Sequence, residues 1–137
     1  MTIRINTEAR NKSGDCIVDL IDVGSKANGY IEIRTGAKPA SPQSSAIGIV
    51  LAVLEFSNPA FKSFNNGNAS SNPISSETSV LASGRAGWFR IYNKNDEAVI
   101  DGDVTEKGGS GDITFDNIDF SVGGVVTISS LSAIVRE

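Results

Sequence analysis

The sequence predicts a mainly β protein: one antiparallel domain over residues 1–137, sandwich-like or jelly-roll-like, with a single helix near its N-terminus. Three observations predict it. Between Gly29 and Gly36 the side chains alternate, Tyr30, Glu32 and Arg34 against Ile31, Ile33 and Thr35, which is the period of a half-buried strand. From Val80 onward, strand-like segments recur at roughly 12-residue spacing with turn residues between them, the rhythm of a sandwich or jelly roll. The composition agrees: 39% hydrophobic, only 20% charged and 14 glycines suit a loop-rich β domain better than a charged helical bundle. A chain of 137 residues can bury one core, and no internal repeat or interdomain linker is visible.

Residues 1–6 alternate Ile3 and Ile5 with polar residues, so they read as an arm that can add a strand to a neighbour's sheet edge. Residues 7–24 read as the helix, with Thr7 as N-cap, Gly24 just past the C-terminus and Glu8 near the positive end of the dipole. Ala9, Cys16, Ile17, Leu20 and Ile21 fall on one stripe, expected to face the core. Gly14 inside that stripe costs about 1 kcal/mol relative to alanine. A short strand over CIVDLIDV is the rival reading. Cys16, the only cysteine, excludes an internal disulfide and is expected to be a small buried hydrophobe. Its neighbours Asp15 and Asp19 supply nothing basic to activate a thiol.

After the strand at residues 29–36 comes a Pro/Ser loop, AKPASPQSSA. The apolar run Ile47 to Phe56 is then expected to be a strand buried on both faces; its 10 residues fall well short of the roughly 20 a membrane helix needs. Residues 58–79 form a long connection of the kind that is usually functional or disordered. Phe61 and Phe64 are expected to pack down as one helical turn. Residues 65–76 carry little to anchor them, which makes them a mobile loop with Asn66 and Asn68 as candidate partner-binding residues. Four strands follow, over residues 85–93, 98–105, 112–117 and 125–135, separated by NKNDE, EKGGSG and SVGG. Short turns between consecutive strands imply antiparallel pairing throughout.

The chain has no histidine, which removes Ser-His-Asp and Cys-His catalysis and every His-containing zinc site. Asp101, Asp103, Glu106 and Asp112 in DGDVTEKGGSGD could be read as a calcium loop, but their spacing lacks the sixth-place glycine and closing Glu of an EF-hand. No metal and no cofactor are therefore expected. GGSG is a turn rather than a phosphate cradle, since neither Lys nor Ser/Thr follows in the required order. A net charge of −4 argues against nucleic acid. No secretion signal is expected in MTIRINTEARNKSGD, so synthesis in the cytoplasm is expected, with no membrane segment. On a strand, Trp88, Arg90 and Tyr92 share one face while Phe89 and Ile91 share the other. Trp88 and Tyr92 are thus a candidate sugar-stacking platform, or else a face covered by the helix or a neighbouring subunit. Burial is the commoner fate of a strand tryptophan.

Read in order, the segments IDVGS, GYIEIRTGAKP, IGIVLAVLEFSNPAF, GRAGWFRIYN, AVIDGDV and GGVVTISS resemble a family of small virion proteins of tailed phages and prophages, over roughly residues 9–130. The resemblance implies a capsid or tail component without enzymatic activity. The expectation it supports is a decoration or cement protein on the outer face of the head, bound to the major capsid protein, as a homotrimer. The alternative is a tail or fibre module that binds host-surface carbohydrate. Candidate partner-binding residues are Ile3, Ile5, Asn66, Asn68, Trp88 and Tyr92. The chain departs from the family pattern at the longer turn NKNDE and at EKGGSG. Both are turn changes, which put turn-based contacts in question and leave the fold reading in place.

Overall fold

In the computed structural model, which describes residues 3–136, helix α1 spans Thr7–Asp19 and runs into a 3-10 turn over Leu20–Asp22. Met1 and Thr2, the start of the expected arm, lie outside the described residues. The N-cap is Asn6, not Thr7: its Oδ1 accepts from the Ala9 N–H at 2.8 Å, satisfying one of the helix's orphan donors. The helix also presents a different face from the one its apolar spacing suggests. Gly14, Val18 and Ile21 are buried, whereas Ile17 and Leu20 are 47% and 49% exposed and Cys16 is exposed. The cause is polar docking. Asn11 Oδ1 accepts from Gly67 N at 2.8 Å, Asp15 Oδ1 from Phe64 N at 2.7 Å and Asp22 Oδ1 from Ala60 N at 2.9 Å. These three acceptors orient the helix on residues 60–67. Gly14 permits the approach, since a Cβ there would stand 2.4 Å from the Phe64 ring.

Strands β1 (Tyr30–Thr35), β2 (Val50–Glu55), β4 (Gly84–Tyr92), β5 (Ala98–Glu106) and β6 (Ile113–Phe115) form one curled sheet in the order β2-β1-β4-β5-β6. The two-residue β7 (Asp119–Phe120) pairs with the start of β4. A separate pair joins β3 (Asn68–Ser70) to β8 (Ser132–Ile134). The protein is mainly β with one N-terminal helix, as its alternation and turn spacing predict. The expected pairing of residues 87–93 with 97–104 is present, with Trp88 opposite Asp103 and Arg90 opposite Asp101.

Several expectations need correction. β5 and β6 are parallel, Val104 opposite Ile113, although only six residues join them. Glycines make this possible: the Gly109 N–H bonds Glu106 O, the Gly111 N–H bonds Thr105 Oγ1, and the Asp112 N–H bonds Asp103 O, so the chain doubles back along β5 before turning again. A Cβ at Gly109 or Gly111 would stand under 3 Å from Thr105. The strand expected from Ile47 begins at Val50, and Ile47 and Ile49 are 53% and 58% exposed. Phe61 and Phe64 do pack down, but on a hairpin rather than a helical turn. Phe61 bridges Ser71 and Asn65 bridges Asn68. Residues 65–76 are well anchored: β3 lies within them, and Ala69, Ser71 and Ile74 are buried. Of the strand expected over 125–135, only β8 and a bridge from Val126 to Glu77 are regular.

One hydrophobic cluster joins Ile31 and Ile33, Leu51 and Leu54, Phe89 and Ile91, and Val104 and Ile113 to Val18, Ile21, Phe56, Phe61 and Phe64. The alternate residues of β1 and β4 therefore face the helix side, and the remaining side chains of β1, β4 and β5 form the opposite face.

Candidate interaction surface

That opposite face carries Trp88, Arg90 and Tyr92, as the period of two requires. It is not open. Trp88 is 0% exposed and donates from Nε1 to Thr35 O at 3.2 Å. The Arg90 guanidinium sits 5.3 Å from the Trp88 ring centroid and grips Asp101 with both arms, Nε to Oδ1 at 2.7 Å and Nη2 to Oδ2 at 2.9 Å. Its Nη1 donates to Ser44 O at 2.8 Å. The cover is thus the chain's own loop between β1 and β2, neither the helix nor another subunit. Lys38, at the start of that loop, pairs with Asp103 at 2.6 Å. The backbone approach beside Trp88 is equally close: a Cβ on Gly87 would stand 1.9 Å from Gly36 O. A sugar platform needs an accessible tryptophan face, and Trp88 offers none.

Tyr92 is half-buried and stacks on Tyr30, with ring centroids 4.9 Å apart and planes 18° from parallel. Tyr30 donates its hydroxyl to Asp96 at 2.7 Å, and Lys26 pairs with the other oxygen of that carboxylate at 2.5 Å. Burial, then the bond to Asp96, raises the Tyr30 phenol well above its ordinary range, while the bonds from Lys26 and Tyr30 lower the Asp96 carboxyl. The NKNDE turn is therefore a clamp on residues 23–28. Asn95 Oδ1 accepts from Ser25 N, and Lys94 N–H donates to Val23 O.

The acidic cluster disperses in three dimensions. Asp101 belongs to Arg90, Asp103 to Lys38, and Asp112 Oδ2 accepts from Asp103 N at 3.0 Å. Glu106 is exposed at the end of β5. Among the described residues, no three Cys, Asp or Glu side chains gather as a metal would need. Asn66 lies in a tight turn and Asn68 just after it: Asn66 and Gly67 both have positive φ, 53° and 76°, the geometry of a two-residue hairpin loop closed by Asn65 and Asn68. Asn68 Nδ2 is engaged with Asn66 O at 2.9 Å. The Asn-Gly dipeptide was the available signal for this hairpin.

The large apolar side chains left outside form the accessible chemistry. Ile3 is 70% and Ile5 38% exposed, as a free arm would leave them. Ile47, Ile49, Leu81, Val122 and Val125 are each more than half exposed. Hydrogen bonds lay their segments side by side at one corner of the sheet. Leu81 N–H bonds Leu51 O, Val80 and residues 123–124 bond each other reciprocally, and Val122 N–H bonds Ser83 Oγ. This corner was not legible as a surface, because Ile47 and Ile49 read as strand interior, Val125 as the start of a strand and Val122 as part of a turn.

Among the described residues no helix is long and apolar enough to cross a membrane. No family model, no curated protein and no solved structure matches the chain.

Proposed function

We propose that this chain is a non-enzymatic structural protein of a tailed-phage particle, a decoration or cement protein held on the outer face of the head by the major capsid protein. The observation that carries the reading is the apolar corner of Ile47, Ile49, Leu81, Val122 and Val125. Exposed apolar side chains gathered on neighbouring segments mark association sites, and a shell clamp needs area and complementarity rather than reactive groups. The sequence resemblance supplies the partner, and a homotrimer at three-fold positions is the arrangement it implies. The net charge of −4 favours a site away from packaged DNA. The carbohydrate-binding alternative loses its main support, since Trp88 is committed to the interior.

The test is particle composition. Virions from the encoding phage or induced prophage, separated by gel and quantified, should carry this protein in hundreds of copies, accessible to antibody on filled heads. Leu81→Asp with Val122→Asp should leave the isolated protein folded and remove it from heads. A few copies located at the tail would refute the head assignment, and absence from purified particles would refute the virion reading altogether.

A further inference from the structure

The curled sheet is sealed at one edge and open at the other. At β2 the chain covers its own edge: Leu51 O accepts from Leu81 N at 2.8 Å, Glu55 O from Ser75 N at 2.9 Å, and Val53 N donates to Glu77 Oε2 at 3.2 Å. At the far edge, among the described residues, β6 pairs only with β5, and β8, which shares one groove with Ile113 of β6, pairs only with β3, so each presents one unpaired side. Between them runs a seam made of three adjoining grooves of about 340, 300 and 280 Å³. The first two share Asp112, Ile113 and Leu131, and the last two share Phe115 and Thr127. Ile113 and Ile128 line it and are buried, while Ile134 at one lip is 57% exposed. Exposed Asp112 and Asp116 lie on its rim, and among the described residues neither has an ion-pair partner. The groove bordered by Ile17, Ile113 and Ile134 is mostly apolar, and the one beside Thr114, Thr127 and Ser129 is mostly polar with Ile113 and Ile128 on its floor; an unpaired edge along such a groove is a template for another strand.

We propose that this seam receives the N-terminal arm of a second copy of the chain, as a strand added between β6 and β8. The arm has the matching chemistry. Ile3 and Ile5 fall on one face of an extended segment and would meet the apolar floor. Arg4 falls on the other face and would meet Asp112 or Asp116, at either end of β6 on the rim. At about 3.3 Å per residue, a six-residue arm spans about 20 Å, enough to pair along the whole of three-residue β6. In its own chain Ile3 and Ile5 are exposed and do not line the seam, and helix α1 is tied near the seam's end by Arg10 Nη1 donating to Val135 O at 3.4 Å. Each copy thus carries both a donor and an acceptor, and exchange of arms builds a homo-oligomer. The inference concerns copies of this chain alone and stands apart from the virion reading.

Sedimentation of the purified full chain over a range of concentrations tests it. The chain should associate, and Ile3→Asp with Ile5→Asp should raise the dissociation constant by about a hundredfold or more, the equivalent of two lost isoleucine burials. The melting curve of the dissociated protein should not change. Arg4→Glu should weaken association by about fivefold, Asp116→Lys likewise, and the two together should recover most of it. In a Cys16→Ser background, Arg4→Cys with Thr114→Cys should form an intermolecular disulfide. A chain that stays monomeric at every concentration overturns the proposal, as does one that associates equally well without residues 1–6. Purely intramolecular cross-links, or charge reversals that do not compensate each other, would show that a second copy's arm is not the occupant.

Discussion

The pair Arg90–Asp101 allows the sharpest test of how the Trp88 face is built. Both side chains are 4% exposed, and the guanidinium makes two charge-assisted bonds to the carboxylate, at 2.7 and 2.9 Å. Removing either partner leaves a buried charge without compensation, which costs about 3–5 kcal/mol. Arg90→Met and Asp101→Asn should therefore each destabilise the protein by about that much. Arg90→Met should be the worse of the two, because Arg90 also holds Ser44 O at 2.8 Å, a charge-assisted bond of net value about 1.5–3 kcal/mol. Arg90→Met combined with Asp101→Leu should cost far less than the sum, since an apolar pair of similar volume has no charge to strand.

Urea denaturation reports all three, and the probe is built in: Trp88, the only tryptophan, lies 5.3 Å from the Arg90 guanidinium. The cycle should return a coupling energy of several kcal/mol. Against a typical total stability of about 5–15 kcal/mol, either single variant loses a large fraction of its margin. Should either one cost less than about 1 kcal/mol, the pair behaves like a solvated surface bridge. The loop between β1 and β2 would then not be what covers Trp88.

Trp88→Ala should cost about 3–5 kcal/mol in urea melts, the range for deleting a buried large aromatic. Burial holds the Tyr30 and Tyr92 phenols above their ordinary value of 10.0, so above that pH the unfolded chain sheds protons that the folded chain retains. The phenols' contribution should be complete below pH 10.0 and be lost as pH rises beyond it, and Tyr30→Phe should reduce the slope in a pH series of melts. Cys16 is exposed, so a thiol reagent should label it in the native protein without lowering the melting temperature. Gly87→Ala should prevent normal folding, visible as loss of the cooperative melt, because its Cβ would stand 1.9 Å from Gly36 O.

The strands β1, β4 and β5 were legible because a period of two is enforced wherever one face meets a core. Ile31 and Ile33 are buried while Tyr30, Glu32 and Arg34 between them are not, and that is visible in the letters alone. The partition of Trp88 from Phe89 was legible for the same reason. What covers Trp88 was not, because the lid is attached largely through backbone oxygens of Ser41 and Ser44, and a carbonyl acceptor has no sequence signature. The parallel β5–β6 pairing escaped on similar grounds. A glycine-rich stretch announces a turn, but not that the chain will turn twice and return alongside the strand it left.

The apolar residues misplaced by periodicity have something in common. Ile17 and Leu20 were assigned to the core-facing stripe of the helix, and Ile47 and Ile49 to a strand buried on both faces. All four stand about half or more exposed. A periodic pattern locates surfaces that avoid water, and within a single chain it equates those surfaces with the core. That equation fails where a surface is covered only by another molecule. Ile17 borders the open seam, and Ile47 and Ile49 lie at the apolar corner, so three of the four fall at the two places where contact with a partner is proposed, and Leu20 falls at neither. Were they random misreadings of amphipathicity, such residues would be expected singly over the surface, as on most monomers. Their grouping makes a separable claim: polar substitution at Ile17 or Ile49 should leave the urea midpoint of the isolated chain nearly unchanged while weakening association, whereas the same change at Ile21 or Ile33, both 0% exposed, should unfold it.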